Sequence, residues 1–146
     1  PKNPPIYGGG SGATFLKSLR DVNLTGLSKD SEGKYVLSSS VEEITTIVSS
    51  STPTPTGGSL RNFFTVTALS ENATFAAPSG TPVDGNIITI RVTPDATPRT
   101  LAYDAIYRAI GVTLPTTTVA SKTMYFGMRY NSLATKWDII AYSIEA

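Results

Sequence analysis

The sequence predicts an all-β protein in which a small sandwich-like or barrel-like module, residues 60–146, follows an extended N-terminal arm. Short runs of alternating apolar and polar residues, rich in Thr and Ile, are separated by turns that contain Gly and Pro. The chain has no cysteine and no histidine. It therefore lacks disulfides, thiolate chemistry and the side chain most often used for proton transfer and metal binding, and no cofactor or metal is expected.

The charge pattern restricts the classes of partner. The net charge is +1, and the charged residues are scattered along the chain rather than gathered in a basic run. A nucleic-acid partner is therefore not expected, because neutralising a phosphate backbone needs a stripe of Lys and Arg. The apolar runs are much shorter than the ~20 residues that cross a bilayer, so no membrane span is expected.

The arm, residues 1–13, contains PKNPPIYGGG, in which Pro stiffens the chain and Gly frees it. Such a segment has too few apolar residues to build a core, so we expect it to be held by another protein. The anchoring residues predicted here are Ile6, Tyr7, Gly8 and Gly9. An aromatic side chain flanked by Pro and Gly costs little to order in the groove of a partner.

A small spacer or oligomerisation segment is predicted over residues 14–48. The turn-forming stretch SKDSEGK precedes the short apolar run at 35–37 and indicates a hairpin-like unit. The run VEEITTIV, residues 41–48, is equally compatible with a short amphipathic helix and with a β-strand. In a helix, Val41, Ile44 and Ile47 would face a brief coiled coil of three or four chains.

The stretch SSSTPTPTGG has no periodicity and is rich in Pro and Gly, which predicts a linker over residues 49–59.

Strand signals then follow at close spacing. Alternating runs predict strands at residues 63–69, 73–77, 86–92 and 99–104. The part that follows is less regular, and a helical turn ending at Gly111 is predicted there.

The C-terminal runs TMYFGMRY (123–130) and KWDIIAYSI (136–144) predict a β-hairpin. Strict alternation places Ile140, Tyr142 and Ile144 on the opposite face of the second strand from Trp137. Both faces would then be apolar. A module of this size has few residues of its own with which to bury a second apolar face. This face is therefore predicted to contact another subunit.

From TFAAPSGTPVDGNIITIRV and TPRTLAYDAIYR through IYRAIGVTLPTTTV to YNSLATKWDII, the sequence resembles a C-terminal module of tailed-bacteriophage virion proteins, such as tail, neck and head fibres. The likeness covers residues 63–146. In the arm, LRDVNLTGLSKDSEGKYVL resembles a spacer of phage fibre proteins, with a shorter stretch between GL and GK. The resemblance implies a homotrimeric virion component, an N-terminal anchor on another virion protein (neck, tail or capsid), and a β head that contacts the host surface. It implies no catalytic residues, so the chain is not expected to be an enzyme.

Two other functions are compatible with the residues of the β module: carbohydrate binding and a fibre-borne glycosidase, the latter using two of Asp84, Asp95, Asp104 and Asp138. Aromatic rings stack on sugar faces, and arginine and amide groups donate hydrogen bonds to hydroxyls. Tyr103 and Tyr107 with Arg99 and Arg108 form one candidate patch. The candidate glycan-binding residues around the last hairpin are Tyr125, Arg129, Tyr130, Asn131 and Trp137. Because Trp137 shares a strand face with Ile139, it is also a candidate for a core or subunit contact.

Overall fold

The computed structural model describes residues 27–29, 32–33, 35–37 and 42–146. The chain divides into two compact units, residues 1–40 and 41–146. The predicted anchoring arm, with Ile6 to Gly9, lies outside the described residues.

The described part of the first unit is a β-hairpin. Strand β1 (Leu27–Lys29) pairs antiparallel with β2 (Tyr35–Leu37), and Leu27 lies opposite Leu37. Gly33, between the strands, has a φ of 77°, a conformation that glycine adopts without steric penalty. The hairpin predicted from SKDSEGK and the apolar run after it is confirmed.

The second unit consists of strands joined by turns and loops. No helix occurs in the described ranges, so the predicted all-β class is confirmed. The strands are β3 (Glu43–Ile47), β4 (Arg61–Leu69), β5 (Ala73–Phe75), β6 (Ile87–Pro94), β7 (Leu101–Tyr103), β8 (Tyr107–Ala109), β9 (Met124–Asn131) and β10 (Lys136–Ile144).

Alternation decides which side of each long strand is buried. In β6, Ile88, Ile90 and Val92 are buried while the residues between them point to the other side, as a period of two requires. Strand β9 shows the same pattern. The alternation predicted for residues 86–92 is confirmed.

Six of the strands form one mixed sheet in the order β3-β4-β6-β9-β10-β8. Strands β3, β4 and β6 run parallel to one another, whereas β9 is antiparallel to both β6 and β10. The short strand β8 runs parallel to β10 at the edge. The predicted C-terminal hairpin of β9 and β10 is confirmed.

The parallel strands belong to successive coils of a solenoid-like stack. After β4 the chain crosses to β5 and returns as β6, then crosses to β7, which pairs parallel with β5. The coils β4–β5 and β6–β7 therefore each give one strand to the large sheet and one to the two-stranded sheet of β5 and β7. The arrangement is a stack of coils closed by a hairpin, and it is not clearly the sandwich or barrel that the sequence predicted.

The predicted linker, residues 49–59, is part of the first coil and does not separate two units. The carbonyl oxygens of Ser51, Pro53 and Pro55 accept hydrogen bonds of 2.8 to 3.0 Å from backbone amides of the second coil. Pro53 and Pro55 are buried. Proline is often a linker signal, but at the edge of a sheet it needs no amide partner, so it is compatible with this extended segment.

Residues 43–47 form strand β3, which settles the choice between helix and strand left open by the sequence. The helical interface through Ile44 and Ile47 has no basis in this strand, and Val41 lies outside the described residues. The helical turn predicted to end at Gly111 is not present. Tyr107–Ala109 is a strand there, because it pairs with Trp137 to Ile139 of β10.

A β-bulge interrupts β10. The register with β9 shifts between Ile139 and Ala141, so the side chains after Ile140 swap sides. Tyr142 consequently turns to the core side and packs on Phe126, with 5.4 Å between ring centroids. The prediction that Tyr142 shares an outward face with Ile140 is wrong, because alternation along a sequence cannot reveal an inserted residue.

The core lies between the six-stranded sheet and the opposite strands. Phe75 of β5 stacks on Tyr103 of β7 at 5.8 Å, and both rings contact Phe126 of β9. Trp137 is 1% exposed and packs on the core side of the hairpin of β9 and β10. Each such side chain contributes about 1.5–3 kcal/mol by leaving water, so aromatic packing ties the two sides together.

A buried hydroxyl on β4 gives a test of the fold. Thr65 is 1% exposed, and its hydroxyl has no hydrogen-bond partner among the described residues. We expect Thr65→Val to raise the free energy of unfolding by about 1 kcal/mol, because valine keeps the shape and removes a buried unpaired polar group. Urea denaturation measures the difference.

Thr67 on the same strand is the control for Thr65→Val. Its hydroxyl donates to the Ile47 carbonyl at 3.3 Å, and the residue is exposed. Thr67→Val should therefore give no gain in stability. A Thr65→Val variant less stable than the parent would contradict the burial described for Thr65.

Candidate functional site

The hairpin of β9 and β10 positions most of the candidate binding residues at one end of the sheet. Its loop, residues 132–135, is tied down from two directions. Asp84 accepts a hydrogen bond from the Ser132 amide at 2.9 Å, and the Asn131 side-chain oxygen accepts one from the Ala134 amide at 3.1 Å. Hydrogen bonds from two backbone amides of the loop to the side chains of Asp84 and Asn131 therefore fix the position of the loop.

Two of the predicted glycan-binding residues, Trp137 and Tyr130, face the interior. The Trp137 indole is 1% exposed, and its ring lies 5.2 Å from that of half-buried Tyr130, tilted by 55°. Trp137 therefore has no free ring face on which a sugar could stack. The indole is a core residue that supports the hairpin from below.

Tyr125 and Arg129 lie on the opposite side of the sheet, which we call the outer face. Tyr125 is 38% exposed, and Arg129 is exposed. In the described part of the chain, Arg129 makes no ion pair and no hydrogen bond through its side chain. Both side chains are thus available to a ligand.

An open depression of about 420 Å³ lies beside the hairpin loop. Asn131 in its wall donates to Asp138 at 3.1 Å. The depression brings together three predicted glycan-binding residues with two candidate carboxylates and two exposed apolar side chains. It is lined by Asp84, Gly85, Arg129, Tyr130, Asn131, Leu133, Asp138 and Ile140.

Electrostatics keep the carboxylates of this depression ionised. Arg108 donates two hydrogen bonds to Asp138, at 2.7 and 2.9 Å, and lowers the pKa of that carboxyl. The hydrogen bond from the Ser132 amide lowers the pKa of Asp84. A glycosidase acid needs a raised pKa, so these two groups are suited to accept hydrogen bonds rather than to deliver a proton.

The other two carboxylates considered for a glycosidase have local partners. Asp95 forms an ion pair with Arg99 at 2.5 Å, and that contact lowers the pKa of Asp95. Asp104 accepts a hydrogen bond from the Ile106 amide at 2.8 Å within a turn. Both contacts are typical of turn and surface structure.

In the second candidate patch, each of the four side chains binds a different partner elsewhere in the protein. The patch consists of Tyr103, Tyr107, Arg99 and Arg108. The phenols of Tyr103 and Tyr107 donate to the carbonyls of Pro115 and Ala76, at 2.9 and 2.8 Å. Burial raises the pKa of both tyrosines. Both arginines are held in ion pairs, so this group does not form an open binding surface.

The residues predicted to mediate oligomerisation fall in different environments. Ile44, Ile140 and Ile144 are exposed by 67%, 51% and 38%, whereas Ile47 packs partly against the core. The exposed residues do not form one row in the strand register, because the bulge separates Ile140 from Ile144.

Sequence reasoning missed Arg61, Arg91 and Leu133. Arg61 and Arg91 share the outer face with Tyr125 and Arg129, but only the strand register, which a single sequence does not contain, places them together. Leu133 is 99% exposed at the hairpin tip. A large apolar residue in a loop otherwise made of small residues was the available signal for it.

Among residues 27–29, 32–33, 35–37 and 42–146, no group of three or more acidic residues is placed to hold a metal ion. The same residues contain no helix that is long and apolar enough to span a membrane. No family model, curated protein or solved structure matches the chain.

Proposed function

We propose that this chain is a structural component of a bacteriophage particle, a fibre or spike of the tail, neck or head. Its N-terminal arm binds another virion protein, three copies associate, and the β module is presented to the host surface. The observation that carries this proposal is the stack of parallel coils closed by a hairpin. Each coil of such a stack packs on its neighbours, which suits an elongated appendage.

The order of sequence motifs across residues 63–146 supports the same proposal, because that order resembles phage fibre modules. The contacts of the candidate carboxylates support a role without catalysis. Asp95 and Asp138 are held in ion pairs, and Asp84 accepts a backbone hydrogen bond.

Labelling of particles tests the virion role. Virions purified from the source of this sequence should carry the chain, and gold-conjugated antibodies against the full chain should mark an appendage in electron micrographs. Pre-immune serum provides the control for labelling. Virions that contain no trace of the chain by peptide mass spectrometry would contradict the proposal.

Association into trimers is a separate prediction. Native mass spectrometry of the full chain at micromolar concentration should show a species of three times 15.4 kDa. A single species at the mass of one chain would rule out the homotrimer and leave the virion role to be judged by labelling.

Carbohydrate binding is the second candidate function, and the depression at the hairpin loop favours it. Arg129 and Asn131 offer donors there, and Asp84 and Asp138 offer acceptors for sugar hydroxyls. A binding module of this kind is compatible with a virion role at the host surface.

A further inference from the structure

The unpaired arginines of the described residues share one face of the molecule. Arg99 and Arg108 are neutralised by Asp95 and Asp138. Arg61, Arg91 and Arg129, in contrast, form no ion pair and no side-chain hydrogen bond in the described ranges.

The strand register fixes how Arg61 and Arg129 are arranged. Ile87 of β6 lies between them, opposite Arg61 of β4 on one side and Arg129 of β9 on the other. Neighbouring strands are about 4.8 Å apart, so the two arginines start about 10 Å apart at the backbone. Both are exposed and lie on the outer face.

Arg91 completes a triangle on the same face. It lies on β6 opposite Tyr125, four residues along the strand from Ile87, which is about 13 Å at the usual rise of a β-strand. Its guanidinium lies over the Phe63 ring, 5.3 Å from the ring centroid. This cation–π contact orients Arg91 without neutralising its charge.

Small side chains form a floor between these charges. Thr89, Gly127 and Ala141 are adjacent across β6, β9 and β10. Gly127 has no side chain and the exposed Ala141 has only a methyl group, so neither covers the sheet there with a large side chain. Arg91 and Tyr125 lie along one side of this strip of small residues, and Arg61 and Arg129 lie along the other side. We call this surface the trough.

We propose that this trough binds an acidic polysaccharide whose carboxylates pair with Arg61, Arg91 and Arg129. Guanidinium groups bind carboxylates through two parallel hydrogen bonds, and an exposed tyrosine ring can stack on a sugar face. At the backbone, Arg61 and Arg129 are about 10 Å apart and Arg91 is about 14 Å from each of them, so the three side chains can reach different carboxylates along an extended chain of sugars. The inference rests on the proposed contact of the β module with a host surface.

Charge distinguishes this ligand from a second copy of the chain. Two copies that met through the same outer face would bring Arg61, Arg91 and Arg129 of each towards those of the other, and like charges repel. Asp138, which also lies on this face, is already paired with Arg108 and offers little compensation. Three arginines are also too few for the continuous basic stripe that binds nucleic acid.

Binding of polygalacturonate to the full-length chain tests the proposal by biolayer interferometry at low ionic strength. The double variant Arg61→Gln and Arg129→Gln should bind about tenfold or more weakly, since two charge-assisted contacts are lost. Arg91→Gln should weaken binding severalfold as an independent variant. Neutral dextran and a short DNA duplex are the comparison ligands.

Lys122 and Lys136 provide the matched control. Their ammonium groups donate to the backbone carbonyls of Ala146 and Ala105. The double variant Lys122→Gln and Lys136→Gln removes the same charge and should bind polygalacturonate like the parent. Circular dichroism and thermal melting establish that all variants are folded.

Absence of polygalacturonate binding by the parent chain would overturn the proposal. So would equal loss of binding in the lysine control, or binding of DNA as tight as that of the polysaccharide. Particle labelling with the arginine variants separates this inference from the virion role. If the variants are still found on the appendage while the parent chain does not bind polygalacturonate, the inference about the ligand is wrong and the proposed virion role is unaffected.

Discussion

Replacing Trp137 by alanine is expected to lower the free energy of unfolding by about 3–5 kcal/mol, the range for truncating a buried aromatic side chain. The indole is 1% exposed and packs between Tyr130 and the backbone at Gly57. A loss of this size is a large part of the stability of a typical domain, about 5–15 kcal/mol. Urea denaturation followed by circular dichroism measures it, because Trp137 is the only tryptophan in the chain and its fluorescence is lost in the variant.

The control for Trp137→Ala lies on the same strand. Ile140 is 51% exposed at the bulge, so Ile140→Ala should cost less than about 1 kcal/mol. A Trp137→Ala variant as stable as Ile140→Ala would mean that the indole is not part of the core. It would also reopen the question of whether Trp137 binds a ligand.

Replacing Gly80 by alanine is expected to lower the free energy of unfolding by about 2–4 kcal/mol, from left-handed backbone strain and overpacking together. Gly80 has a φ of 84°, and an added Cβ would lie 3.0 Å from both the Cα and the nitrogen of Gly58. Backbone atoms cannot move aside as a flexible side chain does. The first and second coils approach each other here, so the substitution would separate them.

Gly85→Ala isolates the contribution of the backbone angle. Gly85 has a nearly equal φ of 83°, and nothing lies within 4 Å of its added Cβ. Its loss should be about 1–2 kcal/mol, the cost of the left-handed conformation alone. Equal losses in the two variants, measured by urea denaturation, would contradict the close approach of the coils at Gly58 and Gly80.

Local patterns predicted the strands well where alternation was strong. The runs containing Ile88, Phe126 and Trp137 gave correct strands and a correct hairpin, because burial on one side imposes a period of two. The solenoid-like stack was not predicted. Parallel neighbours such as Asn62 and Ile88 are far apart in sequence, and nothing in either segment identifies the other.

The candidate site was only partly predictable for the same reason. Tyr125 and Arg129 were identified from their residue types, and both are exposed. Trp137 was a candidate both for glycan binding and, because it shares a strand face with Ile139, for the core. Its 1% exposure agrees with the second of these interpretations. Arg61 and Arg91 became neighbours of Arg129 only through pairing of β4, β6 and β9.

Strand β6 is the turning point of the sheet, because it has a parallel neighbour on one side and an antiparallel neighbour on the other. Beyond it, the hairpin and the short edge strand β8 end the series of coils. Lengthening by duplication of a coil is therefore compatible with the β3 side, where an added strand would continue the parallel order without disturbing Trp137. A protein built on this plan can change its length while its hairpin end stays constant.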